Sequence, residues 1–289
     1  MKIAKRNIFI SLVILTTSMA GCKEDNLIEV SINSKSTEVS LSLLTEVLST
    51  FDIVSDLSSS NVLFLKKDQS LLPNGLIINY IDTTFQDGNG LKIELDFGGL
   101  GEEPHGQLCK DNKYRAGKMM VAINRPMSQL DAKLEVSFSE EFPYYTGNGK
   151  KMTKLVGQMA LLRKSETEIT FSIKELKTSL EEEKHMIAAN FSVQTLQDGG
   201  LGIVNDELSF SGTISVSDST SALLFSTTNP LIKNYALACA KYILAGDMVA
   251  ALPETNSIME VDFDPDLDRA CDTKVALIVN GKKIGRAHV

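Results

Sequence analysis

Tryptophan is absent from this 289-residue sequence, and aromatic side chains of any kind make up only 6% of it. The usual stacking platform of a carbohydrate site is therefore scarce. Tyr144 and Tyr145, beside Gly147-Asn148-Gly149, are the one aromatic pair placed to serve, and the competing reading is that they anchor a turn. Histidine is nearly as rare, at three residues, which disfavours a zinc centre needing three or four well-placed His or Cys ligands. No Gly-x-Ser-x-Gly elbow occurs. His105 stands four residues before Cys109, a spacing that reads as neighbours in a loop rather than as a base beside its nucleophile. Basic residues are also short, 29 against 37 acidic, for a net charge of −8. A surface of that sign repels phosphate backbones and excludes nucleic acid as a partner.

The apolar run Ile8–Leu15 (IFISLVIL) is well short of the roughly 20 residues that a spanning helix needs. Led by Lys2, Lys5 and Arg6 and followed by small residues, it reads as a secretory signal over residues 1–21. Met19-Ala20-Gly21-Cys22 resembles the bacterial lipobox, whose cysteine is thioether-linked to diacylglycerol before cleavage, with Met19 where Leu is usual. Each buried lipid methylene contributes about 0.8 kcal/mol and one chain holds only marginally, so the two or three chains expected on Cys22 give a lasting anchor. Lys23-Glu24-Asp25 resembles the surface-export signal of Bacteroidota lipoproteins. The expected address is the outer membrane, displayed at the surface, with its periplasmic face as the alternative.

At the other end, Ile284–Val289 (IGRAHV) reads as the in-frame translation of a common sequencing-adapter oligonucleotide, and residues 284–289 are set aside from fold reasoning. His288 goes with them. Without Lys2, Lys5, Arg6 and Arg286 the count is 25 basic against 37 acidic residues, a charge of −12.

Residues 22–36, rich in Ser, Asn and Lys, read as a polar tether, and 37–283 as a single β-rich domain. Leu44, Val47, Leu48 and Phe51 recur at helical spacing and predict an amphipathic helix over Thr37–Phe51, packed on a sheet. Beyond it the period changes to two. Leu130, Ala132, Leu134, Val136 and Phe138 alternate with polar residues, as do Leu91–Phe97, Ile169–Ile173, Leu208–Val216 and Met259–Phe263. Glu175–His185 reads either as strand or as a short charged helix, its Glu181–Lys184 stretch a solvated face. About a dozen short strands without strand–helix alternation predict a mainly all-β fold, an antiparallel sandwich or rolled sheet with one N-terminal helix.

Ile93–Phe97 (IELDF) resembles Met259–Phe263 (MEVDF), and each is followed by a cysteine and a strand, KMMVAIN from Lys118 and KVALIVN from Lys274. Duplicated hairpins and convergence of two amphipathic strands both explain this. Together with "LDFGG" from Leu95, "CKDNKYRAGK" from Cys109, "NPL" from Asn229, Cys239 and "CDTKVALIVNG" from Cys271, these landmarks resemble an uncharacterised β-rich Bacteroidota lipoprotein family. The resemblance covers Leu91–Gly281 and implies no activity. The acidic "DFDPDLDRA" stands where that family is usually glycine-rich.

Asp262, Asp264, Asp266 and Asp268 supply the hard oxygen ligands that Ca²⁺ takes. An EF-hand needs Gly at loop position 6 and Glu at 12, and neither start, Asp262 or Asp264, provides them. The remaining readings are an irregular Ca²⁺ loop or an acidic hairpin tip that keeps a strand edge in water. With Cys22 lipidated, Cys239 and Cys271, both in the strand-rich C-terminal third, are the expected disulfide; three buried thiols are the alternative. Asp82-Thr83-Thr84 and Asp218-Ser219-Thr220 resemble an O-glycosylation acceptor, which would place Thr83 and Ser219 on the surface. No catalytic set stands out. The functional expectation is a non-catalytic binding or structural role toward an unidentified envelope or extracellular partner, with a glycosidase-like hydrolase using paired carboxylates as the competing class.

Overall fold

The computed structural model describes residues 34–59, 71–180, 182–200, 202–252 and 256–288. The signal segment, Cys22 and most of the tether lie outside them. Among the described residues a single helix, α1 (Ser34–Ser59), precedes fifteen strands: β1 (Ile77–Asp82), β2 (Leu91–Asp96), β3 (Gln107–Leu108), β4 (Tyr114–Ile123), β5 (Lys133–Phe138), β6 (Tyr144–Gly147), β7 (Met152–Arg163) and β8 (Glu168–Leu180), then β9 (Glu183–Gln197), β10 (Glu207–Ser217), β11 (Ala222–Asn234), β12 (Ala245–Leu252), β13 (Ser257–Asp262), β14 (Lys274–Val279) and β15 (Lys282–His288).

All fifteen belong to one antiparallel sheet, a meander running from β1 to β15 with β3 and β6 as short ribbons beside β4. The two ends of the meander are not paired with each other, so the sheet is not a closed barrel. It is rolled around α1. Side chains from β4, β6, β8, β10, β11 and β13 all reach this one helix, which a flat sheet could not do. The rolled-sheet form of the expected all-β fold is therefore the one present.

The helix is longer than its periodic stripe, and Ser34–Ser36, expected in the tether, form its first turn. Every residue from Glu46 to Leu57 is buried. A helix buried on all sides is normally apolar all round, and Leu44, Val47, Leu48, Phe51, Ile53, Val54 and Leu57 meet that demand. Phe51 packs on Phe171 and Phe210 with ring centroids 5.1 Å from each. Buried hydroxyls are satisfied within the helix, as Ser40 donates to the Ser36 carbonyl and Thr50 to that of Glu46, each at 2.8 Å.

Leu134, Val136 and Phe138 of β5 point inward as the alternation predicts, but Leu130 is exposed and Asp131 takes a positive φ, so that strand begins only at Lys133. Glu175–His185 is not a helix. It supplies the facing ends of β8 and β9, where Leu176, Thr178 and Ile187 are buried and the outward neighbours are charged. The two similar hairpins share their turn chemistry. Asp96 and Asp262 each accept an amide two residues on, from Gly98 and Asp264, and Asp111 and Asp272 do the same for Lys113 and Lys274. Their registers differ by two residues, since Ile93 faces Val121 whereas Met259 faces Val279 rather than Leu277. An even shift keeps every side chain on its original face.

Candidate functional site

Three buried ion pairs run along α1. Glu46, Ser49, Asp52 and Asp56 fall three or four residues apart and so share a face of the helix. At one end Lys113 Nζ donates to Glu46 Oε1 (2.6 Å) and Thr146 Oγ1 to Glu46 Oε2 (2.8 Å). Next, Arg115 grips Asp111 with both terminal nitrogens (2.8 and 2.6 Å) and donates to Ser49 Oγ (2.6 Å). Burial opposes the charge on Arg115, yet Asp111 outweighs it and holds the guanidinium firmly protonated. Then Lys233 Nζ and Tyr235 Oη donate to the two oxygens of Asp52 at 2.7 and 2.6 Å. Complete burial pushes the Asp52 carboxyl up, against the pull of these donors. Asp56 accepts the Leu71 amide at 3.0 Å. These groups fasten helix to sheet, and most of their donors and acceptors are engaged, though Arg115 Nε is buried without a hydrogen-bond partner among the described residues.

Other chemistry-bearing residues are committed too. Cys109 is buried, and burial raises its thiol pKa, which makes it unreactive. Its sulfur faces the Gln107 carbonyl, while His105 Nδ1 bonds that of Gly101, so the two do not form a couple. Tyr144 is fully buried and stacks on Phe138, a core anchor and not a sugar platform. Cys239 and Cys271 form a disulfide. The acidic loop spends its oxygens locally. Asp262 accepts the Asp264 amide, Asp264 those of Asp268 and Arg269, Asp268 that of Ala270, and Asp266 pairs with Lys274. Among the described residues no three His, Cys, Asp or Glu converge to hold a metal ion. Thr83 and Ser219 are both exposed.

Asp206 sits beside the inner end of this row, its backbone carbonyl accepting the Tyr235 amide. Desolvation raises its carboxyl to about 6, against a hydrogen bond from the Gly199 amide. A raised acid binds more protons folded than unfolded, so ionising it lowers stability as pH rises from about 4 to about 6. Asp206→Asn is expected to remove that slope and to raise stability at neutral pH by roughly 1 kcal/mol, allowing for solvent screening at a half-buried site. Denaturant midpoints of both proteins between pH 4 and 7 measure it.

Two hollows remain. One, of about 550 Å³, opens beside the first half of α1 and is lined by Ser42, Glu46, Asn112, Lys113, Asn148 and Tyr242 among others. Of its two carboxylates, Glu38 and Glu46, the second is paired with Lys113 as described above, and Lys151 and Lys241 also line it. The other, of about 570 Å³, lies across β7–β10. Strand pairing sets its outward residues in two rungs, Val156–Lys177–Met186–Ser217 and Lys154–Ser179–Lys184. Thr178 and His185 face each other on the rung between and also line the hollow. Thr178 Oγ1 and His185 Nε2 are buried without a hydrogen-bond partner. Of the hollow's carboxylates, Glu140 pairs with Lys154 at 3.2 Å. Asp218 is folded into its own hairpin tip, where the Thr220 amide and hydroxyl pull it down to about 2. Lys177 and Lys184 have no counter-charge among the described residues.

Of these residues only Lys184 comes from the stretch read as a solvated face; Lys177, Thr178 and His185 belong to the run read as strand or short charged helix. The available signal was cation spacing. Lys177 and Lys184 sit seven apart in an acidic chain, but only the hairpin between them brings them together. No protein-family model, curated protein or solved structure matches the chain.

Proposed function

We propose that this chain is an outer-membrane lipoprotein, anchored through acyl chains on Cys22 and displayed at the cell surface, that works by binding rather than by catalysis. The kinship with an uncharacterised Bacteroidota lipoprotein family belongs to the same proposal, as does O-glycan attachment at Thr83 and Ser219, which are accessible to a transferase. The observation that carries the binding role is the division of its charges. Those inside the roll are paired to fasten α1, and two lysines without an ion pair among the described residues, Lys177 and Lys184, share the hollow on β7–β10.

The anchor is tested by intact mass and detergent phase partition of the protein from its native membrane. Two or three acyl chains on Cys22 are expected, together with loss of detergent-phase partition in Cys22→Ser. An unmodified start that stays in the aqueous phase would reject the anchor. Screening against glycans and peptides tests the rest: turnover abolished by one Asp or Glu substitution would replace the binding role with a hydrolase.

A further inference from the structure

We infer that the hollow on β7–β10 is a phosphate site that takes a phosphate monoester through Lys177 and Lys184. This deepens the binding role proposed above and rests on it for its biological setting, but not for its chemistry.

A phosphate monoester carries between one and a half and two negative charges at neutral pH and offers three strong acceptor oxygens. The hollow presents a matching complement. Its cations are Lys154, Lys177 and Lys184 and its carboxylates are Glu140 and Asp218. Glu140 neutralises Lys154, and Asp218 stays ionised at its hairpin tip, so three cations face two carboxylates and the hollow is net positive, with Lys177 and Lys184 making no ion pair among the described residues. Lys177 faces Met186 and Lys184 faces Ser179, so the two lysines are diagonal neighbours on adjacent strands, within reach of one shared anion. Ser179 stands on the same face, beside Lys184 on its rung, while Ser217 neighbours Met186 at the far end of the other. Val156 and Met186 supply an apolar floor, which excludes water from one side of a bound ester and strengthens the charge contacts.

The volume, about 570 Å³, falls within the usual range for small-molecule sites.

The chemistry fits two sources, a soluble phosphate ester and a phosphate headgroup of a lipid. Both are tested on the full-length Cys22→Ser chain, which carries no acyl anchor of its own. Calorimetric titration with inorganic phosphate and with glycerol phosphate is expected to show saturable binding. Lys177→Gln with Lys184→Gln should weaken it by about tenfold or more, while Lys174→Gln, outside the hollow, leaves it unchanged. Unaltered melting temperatures in the variants separate lost binding from lost fold. Flotation with phosphatidylcholine vesicles containing phosphatidic acid identifies the source. Vesicle binding that free phosphate displaces assigns a headgroup, and titration without flotation assigns a soluble ester. Absence of saturable binding in every arm, or equal binding by the double variant, overturns the site. Phosphate binding by a protein whose native Cys22 proves unmodified would remove the anchor and leave the site standing.

Discussion

Asp52→Ala is expected to cost about 3–5 kcal/mol of folding stability, because it leaves Lys233 charged, buried and unpaired. For a chain of this size that is a fall of roughly 6–20 °C in Tm. Asp52 is fully buried and Lys233 is 2% exposed, so no water is at hand to solvate the orphaned ammonium. The phenol of Tyr235 loses its acceptor in the same change. Removing both charges should be far milder. Asp52→Leu combined with Lys233→Met exchanges a desolvated pair for apolar contact and is expected to recover most of the loss. A double-mutant cycle read by chemical denaturation measures the coupling. If Asp52→Ala costs less than 1 kcal/mol, the pair is not buried and the helix is not enclosed as described.

Arg115→Met tests the middle of the same row and carries the other large effect, again about 3–5 kcal/mol. Arg115 and Asp111 are both fully buried and joined through two hydrogen bonds, with Ser49 of the helix as a third partner. Met fills much of the volume, so the expected loss arises from the stranded Asp111 carboxylate and not from a cavity. It should therefore be largely recovered when Asp111→Asn is added. Denaturant midpoints of the single and double variants read this directly. A deficit that Asp111→Asn leaves unchanged would assign the cost to packing.

The residues that made the fold legible were those whose burial has a period. Leu134, Val136 and Phe138 alternate with polar neighbours and lie in β5; Leu44, Val47, Leu48 and Phe51 mark one stripe of α1. The same logic hid the rest. Glu46, Asp52 and Asp56 look in sequence like the wet face of an amphipathic helix, and only strands 60 to 190 residues away supply the cations and hydroxyls that let them be buried. Composition alone could not separate solvated charge from paired charge. The hollow was hidden for a related reason. Lys154, Lys177 and Lys184 lie on three strands and become neighbours through antiparallel register, which depends on pairings no local pattern contains. The acidic loop erred in the opposite direction as a clue. Asp262, Asp264 and Asp268 cluster in sequence because each shapes a turn with its own backbone amides, a use that competes with binding a cation.

Charge inside the roll is spent on fastening α1, whereas Lys177 and Lys184 in the β7–β10 hollow are free of ion pairs with the described residues. Competitive lysine acetylation of the folded protein, read residue by residue by mass spectrometry with and without phosphate, tests it most directly. The account predicts that Lys233 stays unmodified and Lys113 reacts slowly, while Lys177 and Lys184 react fast and are protected by phosphate. Ready modification of Lys233 in the folded chain, or reaction of Lys177 and Lys184 at rates indifferent to phosphate, would contradict it.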